Sequence, residues 1–166
     1  AEFRRRAASG APGGRQAKCP RGTAIVSTLL DTNVLSELLR AQPHPALLAW
    51  FAEQPADSLF VSAVTQAEML LGARLLPRSR RRQQLEAALD TMFRQDFGGR
   101  VLPFDSAAAT AYAAVVAARR SAGRAISQFD AQIAAIALSR RAGLATRNLS
   151  DFEECGLTLT NPWSAL

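Results

Sequence analysis

From Ile25 onward the chain alternates short apolar runs with longer segments of helical spacing. Ile25 to Leu30 is short and apolar enough for a buried strand, and the pattern then switches at once to Val34, Leu35, Leu38 and Leu39, which share one helical face. Pro43 and Pro45 break the chain before a short amphipathic helix, Ala46 to Glu53, which Pro55 ends. Ser58 to Val61 reads as a second buried strand. A helix opened by Ser62 or Thr65 runs to about Leu76 and stops before Pro77. Its predicted core stripe is Val61, Val64, Leu71 and Leu75, with Glu68 in the same row. A long polar helix follows from Arg78 through Phe93. Gly98 and Gly99 turn the chain into a third strand, Val101 to Phe104, and an alanine-rich helix covers Ser106 to Arg120. The next helix, Ile126 to Arg141, carries Ile126, Phe129, Ile133, Ala134 and Ala137 on its apolar face. Leu144 to Thr146 and Leu157 to Thr160 complete the strands before Asn161-Pro162-Trp163. Strands that alternate with helices throughout imply an α/β fold, a parallel sheet with helices on both faces.

A chain of 166 residues, 48% of them hydrophobic, can bury one domain but hardly two. Its formal charge of +6 suggests a nucleic-acid binder until the charge is located. Residues 1–25 hold Arg4, Arg5, Arg6, Arg15, Lys18 and Arg21 against Glu2, a net +5, which leaves +1 for the rest. Bulk basicity is therefore no argument for the folded part, and only local patches can support nucleic-acid binding. Residues 1–25 are also poor in large apolar side chains and rich in Gly and Pro. They are expected to be a disordered basic leader or an extension, with 26–166 as a single domain. The two cysteines, Cys19 and Cys155, make neither a disulfide framework nor a zinc spacing. No apolar run reaches membrane-spanning length and the leader lacks an apolar signal core, so the cytoplasm is the expected compartment, with no membrane partner.

The carboxylates carry the candidate chemistry. Asp31 follows the first strand and Asp151 the fourth, so both belong at the C-terminal edge of the sheet, where open α/β sheets bind ligands. Glu68 stands early in the helix after strand two. Asp130 stands at the start of a helix that must run antiparallel to the strands, which brings it to the same rim. Four acids so placed repel one another unless a cation neutralises them, and oxygen ligands without His or Cys suit Mg²⁺ or Mn²⁺. Local readings compete with this one. Asp31 and Asp105 each stand where a helix cap belongs, and Thr65 with Glu68 has the spacing of a capping box.

Leu-Leu-Asp-Thr-Asn-Val at 29–34, Glu68 in Ser-Ala-Val-Thr-Gln-Ala-Glu, Asp130 in Phe-Asp-Ala-Gln-Ile-Ala-Ala and Thr-Arg-Asn-Leu-Ser-Asp-Phe at 146–152 together resemble PIN-domain ribonucleases. The resemblance is to the VapC toxins of bacterial toxin–antitoxin pairs and, within them, to a FitB-like branch whose chains also end near Asn-Pro-Trp. It runs from about Val26 to Trp163. It implies a three-layer α/β/α fold and a metal-holding, catalytic quartet of Asp31, Glu68, Asp130 and Asp151. Asn33, Thr146 and Asn148 are implied as polar groups supporting the acids. It further implies Mg²⁺-dependent cleavage of RNA, a homodimeric toxin, a cognate antitoxin that blocks the site, and promoter DNA reached only through that antitoxin.

The residue inventory points the same way. The one histidine, His44, lies between two prolines in a loop, which leaves little for metal-free acid–base cleavage. A metal-activated water attacking phosphorus is the route left. Arg78, Arg80, Arg81 and Arg82, with Arg119, Arg120 and Arg124, are candidates to hold the RNA backbone; the competing reading is a solvated face. An aspartyl-nucleophile phosphatase needs a second Asp where Asn33 stands, and it commonly needs a lysine, of which the chain has only Lys18. The rival from another class is a catalytically silent PIN-like module that acts through binding alone.

Overall fold

The computed structural model describes residues 27–164. The leader expected over 1–25, and the start of the first strand at Ile25 and Val26, lie outside them. Five strands make one parallel sheet: β1 (Thr28–Leu30), β2 (Leu59–Ser62), β3 (Val101–Leu102), β4 (Gly143–Ala145) and β5 (Leu159–Thr160), in the order β3-β2-β1-β4-β5. The helices are α1 (Thr32–Leu38), α2 (Pro45–Glu53), α3 (Ala63–Leu75), α4 (Arg80–Thr91), α5 (Ser106–Ser121), α6 (Gln128–Ser139) and α7 (Leu149–Phe152).

Strand side chains alternate between two cores. Leu30, Leu59, Val61 and Ala145 face Leu35, Leu47, Phe51 and Met92 on one side, beneath α1 to α4. Leu29 and Leu144 face Val115, Ile133 and Phe152 on the other, beneath α5 to α7. A sheet covered on both faces is the reason its strands read as continuous apolar runs. The layer order follows from handedness. The chain steps from β1 to β2 to β3 with helices on one face, then returns past both to β4 with α5 and α6 on the opposite face, as right-handed crossovers require. The winding therefore reverses between β1 and β4, whose register sets Leu30 beside Ala145. A crevice at the C-terminal ends of the strands opens at such a reversal.

Caps set most of the helix starts. Asp31, Ser62, Ser79, Asp105 and Ser127 each accept a backbone N–H from the first turn that follows. Asp105 is thus a cap, as expected, and it also pairs with Arg140 at 2.7 Å. Ser62, not Thr65, opens α3, since its hydroxyl takes the Thr65 N–H at 2.8 Å. The Thr65–Glu68 capping box therefore does not form. Strand β3 stops at Leu102 rather than Phe104 because Pro103 has no N–H to continue the ladder.

Two expected faces are corrected. On α3 the core-facing row is Thr65, Met69 and Ala73, while Leu71 and Leu75 are 55% and 75% exposed. The helix turns Thr65, Met69 and Ala73 inward and packs against α1 and α6. On α6 the residues from Ile133 to Ala137 are all buried, because the helix is enclosed by the sheet and α5, whereas Phe129 in its first turn is 51% exposed.

Candidate active site

Asp31 occupies the reversal point itself. Its backbone N–H donates to Ala145 at 3.0 Å, so the residue following β1 is stitched to the end of β4. Its side chain is only 5% exposed and is held from three directions. Oδ1 accepts the Thr32 N–H at 2.7 Å, and Oδ2 accepts the Asn33 amide at 2.7 Å and the Thr146 hydroxyl at 2.7 Å. The cap and the site thus share one carboxylate. Asn33 also links to Thr146 Oγ1 at 3.1 Å and accepts the Arg147 N–H at 3.2 Å, while Thr146 Oγ1 accepts the Asn148 N–H at 3.0 Å. Asn33 and Thr146 both donate to the Asp31 carboxylate. Asn148 contributes its backbone N–H, and its side chain is exposed.

Glu68 and Asp130 are each met by a hydroxyl. Thr32 donates to Glu68 Oε2 at 2.6 Å, and Ser127 donates to Asp130 Oδ2 at 2.6 Å while taking the Asp130 N–H at 3.1 Å. Thr32 and Ser127 were absent from the expected site. Ser127 was legible, because Ser-x-x-Asp before an apolar run is a capping signature. Thr32 was not, since its partner lies 36 residues away.

Burial pushes the Asp31 carboxyl above the usual carboxylate range, against the bonds from Thr146 and Thr32, and the charges of Asp130 and Glu68 push it further. Asp31 therefore feels the charges of two of the other three acids. Asp151 is exposed on α7 and is not among the charges that act on Asp31. Of the four expected acids, Asp31 is buried, Glu68 and Asp130 are half-buried, and Asp151 on the short α7 is exposed. Among the described residues no three acidic, histidine or cysteine side chains are gathered closely enough to hold an ion as they stand. The donor chemistry nevertheless fits a hard divalent cation. Among the described residues Glu68 Oε1 and Asp130 Oδ1 carry no hydrogen bond, and a carboxyl raised by burial and, to a smaller extent, by like charges is one whose ionised form a cation would favour.

Ser127→Ala removes the cap and the Asp130 tether together. Such a cap is worth about 1 kcal/mol, which for a chain of this size is roughly 2–4 °C of Tm. Thermal denaturation of the purified variant checks this; an unchanged Tm would mean that the α6 cap is not used.

The candidate arginines separate. Arg78, Arg80 and Arg81 are exposed, and Arg82 pairs with Glu86 at 3.0 Å. All four lie beyond the end of α3, whose stretch from Glu68 to Leu75 alone spans about 10 Å. Arg120 is exposed, and Arg124 pairs with Glu154 at 3.2 Å. Arg119 is corrected as a backbone-holding candidate: it is 5% exposed and its guanidinium is committed to the Glu153 carbonyl at 2.7 Å.

An α/β sheet with an acidic rim at its winding reversal defines a class, and comparison with known proteins names it. The family model described as PIN domain matches residues 28–155, and the chain belongs to that family. VapC ribonuclease Y4jK of Sinorhizobium fredii is 41% identical over 135 residues, covering 81% of this chain and 96% of that protein. The crystal structure of FitAcB from Neisseria gonorrhoeae superposes with a TM-score of 0.78 at 36% identity, covering 82% of this chain and 99% of that one. A structure of FitAB bound to a DNA fragment matches with the same TM-score and identity, covering 95% of its chain. Within the PIN-domain family the chain groups with these VapC and FitB toxins.

Proposed function

We propose that the protein is a divalent-metal-dependent endoribonuclease toxin restrained by a cognate antitoxin. The observation that carries this reading is the coupled set of Asp31, Glu68 and Asp130 at the β1/β4 reversal, in a chain 41% identical to a protein named a ribonuclease. Asp31, Glu68 and Asp130 would hold Mg²⁺ or Mn²⁺, with Asp151 at the margin. When bound, the ion supplies positive charge against the phosphate and acidifies a water for in-line attack. The chain does the rest. Thr32 N–H, Asn33 and Thr146 fix both oxygens of Asp31, so that its lone pairs point one way before any ligand arrives. Burial of Asp31 strengthens every charge interaction at the crevice.

The partner reading rests on relatives that are toxin–antitoxin assemblies. We infer a cognate antitoxin that covers the acid rim, a homodimeric toxin, and promoter DNA reached only through the antitoxin. The exposed Leu71 and Leu75 on α3 supply apolar surface for such contacts.

The test uses the full chain and a mixed RNA pool. Cleavage is expected with Mg²⁺, absent with EDTA and restored by excess Mg²⁺. It should rise with pH as Asp31 ionises, with an acid limb above the ordinary carboxylate range. Cleavage that persists at full rate in EDTA would refute the metal reading, and no cleavage under any metal would favour the silent module. Coexpression with the product of the neighbouring gene should yield one complex in size exclusion, and separate elution would count against the antitoxin.

A further inference from the structure

The Asn161-Pro162-Trp163 run takes no part in holding Asp31, yet it is built beside it. The Thr160 carbonyl, at the end of β5, accepts the Thr146 N–H at 2.9 Å, so the segments leaving β4 and β5 emerge side by side at the acid rim. Asn161 Oδ1 accepts the Trp163 N–H at 3.0 Å, and the Asn161 carbonyl accepts the Ser164 hydroxyl at 3.1 Å. This turn is closed on itself and fixes the indole, which packs partly against the first core.

The Arg147 guanidinium lies over that indole, 5.6 Å from the ring centroid. Its own peptide N–H is bonded to Asn33, the residue whose amide holds Asp31. The arginine thus starts from a peptide tied to the site and ends on a ring tied to the core. Arg82, Arg124 and Arg140 are paired with acids and Arg119 is taken by a carbonyl, whereas among the described residues Arg147 has no carboxylate partner and is exposed. A free guanidinium one residue from Thr146 would be drawn onto the three acids. The ring face attracts it and holds it off them. With one face against the indole, what remains for a ligand is its edge of N–H donors, the arrangement that matches phosphate oxygens.

We propose that Arg147, seated on Trp163, binds a phosphodiester of the RNA strand beside the bond that is cut. This rests on the nuclease reading above. Arg147 is a substrate-positioning group, and the Asn-Pro-Trp turn is the platform that aims it.

The experiment measures binding of a fluorescent single-stranded RNA by anisotropy over a salt series, in an Asp130→Asn background so that no cleavage intervenes. Cleavage kinetics and the Mg²⁺-induced rise in Tm are measured with Asp130 intact. Arg147→Met is expected to weaken binding roughly tenfold, the scale of one charge-assisted contact, and to lower the salt slope by about 0.7. KM should rise while kcat and the Mg²⁺ shift hold. Arg147→Lys should recover part of the affinity, Trp163→Phe most of it, and Trp163→Leu should weaken binding as Arg147→Met does. Wild-type affinity and slope in Arg147→Met would overturn the proposal. So would loss of the Mg²⁺ shift in that variant, which would place Arg147 in support of the acids rather than on RNA. A wild-type chain that binds RNA through Arg147 but cleaves none would refute the nuclease reading and leave this contact standing.

Discussion

Asp31→Asn is expected to lower metal-dependent RNA cleavage by on the order of 10³-fold while leaving the protein folded. The carboxylate sits where β1 and β4 meet and carries the charge toward which Glu68 and Asp130 converge. An amide in its place keeps the shape and loses the anion. The Mg²⁺-induced rise in Tm should disappear with the activity. Full cleavage by the purified variant would sink the site.

Stability of the metal-free protein separates two effects within the same cluster. Because burial and like charges raise the Asp31 carboxyl, the folded chain binds that proton more tightly than the unfolded chain. Its contribution is therefore greatest at acid pH and declines as pH rises from the ordinary carboxylate range through the raised value. Removing a charge should then stabilise the apo protein at neutral pH, but not equally at each position. An Asn at 31 must turn its NH₂ either toward the Thr32 N–H or toward the Asn33 amide, donor against donor, which offsets the relief. Asp130 accepts one side-chain bond, from a Ser127 hydroxyl that can turn its hydrogen away. Asp130→Asn is therefore expected to raise the EDTA Tm by about 1–3 °C, a modest figure because the group is partly exposed, while Asp31→Asn leaves it nearly unchanged. A lower Tm in Asp130→Asn would remove the repulsion argument without touching the site assignment.

Much of this was legible in the chain, and the failures share a cause. The switch from Ile25–Leu30 to the Val34–Leu39 spacing placed Asp31 at a strand end, and the strand–helix alternation placed Glu68 and Asp130 at the same rim. Those inferences need only local periodicity and the handedness of crossovers. The face of α3 needed more. Thr65, Met69 and Ala73 form one helical row and Val64, Leu71 and Leu75 another, and the second is the more apolar. Which row turns inward is set by how α3 packs against α1 and α6, which helical period alone does not record. Arg119 failed for a related reason. Its acceptor, the Glu153 carbonyl, is a backbone atom 34 residues on, and backbone acceptors leave no mark in a side-chain pattern. Asp151 follows β4 in a four-residue helix too short to show a face in the sequence, so its direction was not legible.

Thr146→Val carries the second large expected effect, and it moves the pH profile rather than abolishing activity. The Thr146 hydroxyl is 0% exposed and makes three bonds: it donates to Asp31 Oδ2 and accepts the Asn33 amide and the Asn148 N–H. Valine copies the shape without the oxygen, so two donors lose their acceptor and Asp31 Oδ2 keeps only Asn33. The two donors are only part-buried, so water can replace some of what they lose, and the cost is roughly 1–2 kcal/mol, or about 2–8 °C of Tm in a chain of this size. The bond from Thr146 is the largest influence holding the Asp31 carboxyl down, so its removal pushes the acid further above the usual range. A carboxyl pushed further toward its protonated form holds a cation less well, and metal affinity is expected to fall by about 10–100-fold. The acid limb of the rate–pH profile should shift upward, and at high pH with saturating Mg²⁺ the rate should approach that of the unmodified chain, which no pH achieves for Asp31→Asn. Thr146→Ser, which keeps the hydroxyl, should restore the original limb. Coincident acid limbs in the Val variant and the unmodified chain would mean that Thr146 braces the fold without tuning the carboxylate.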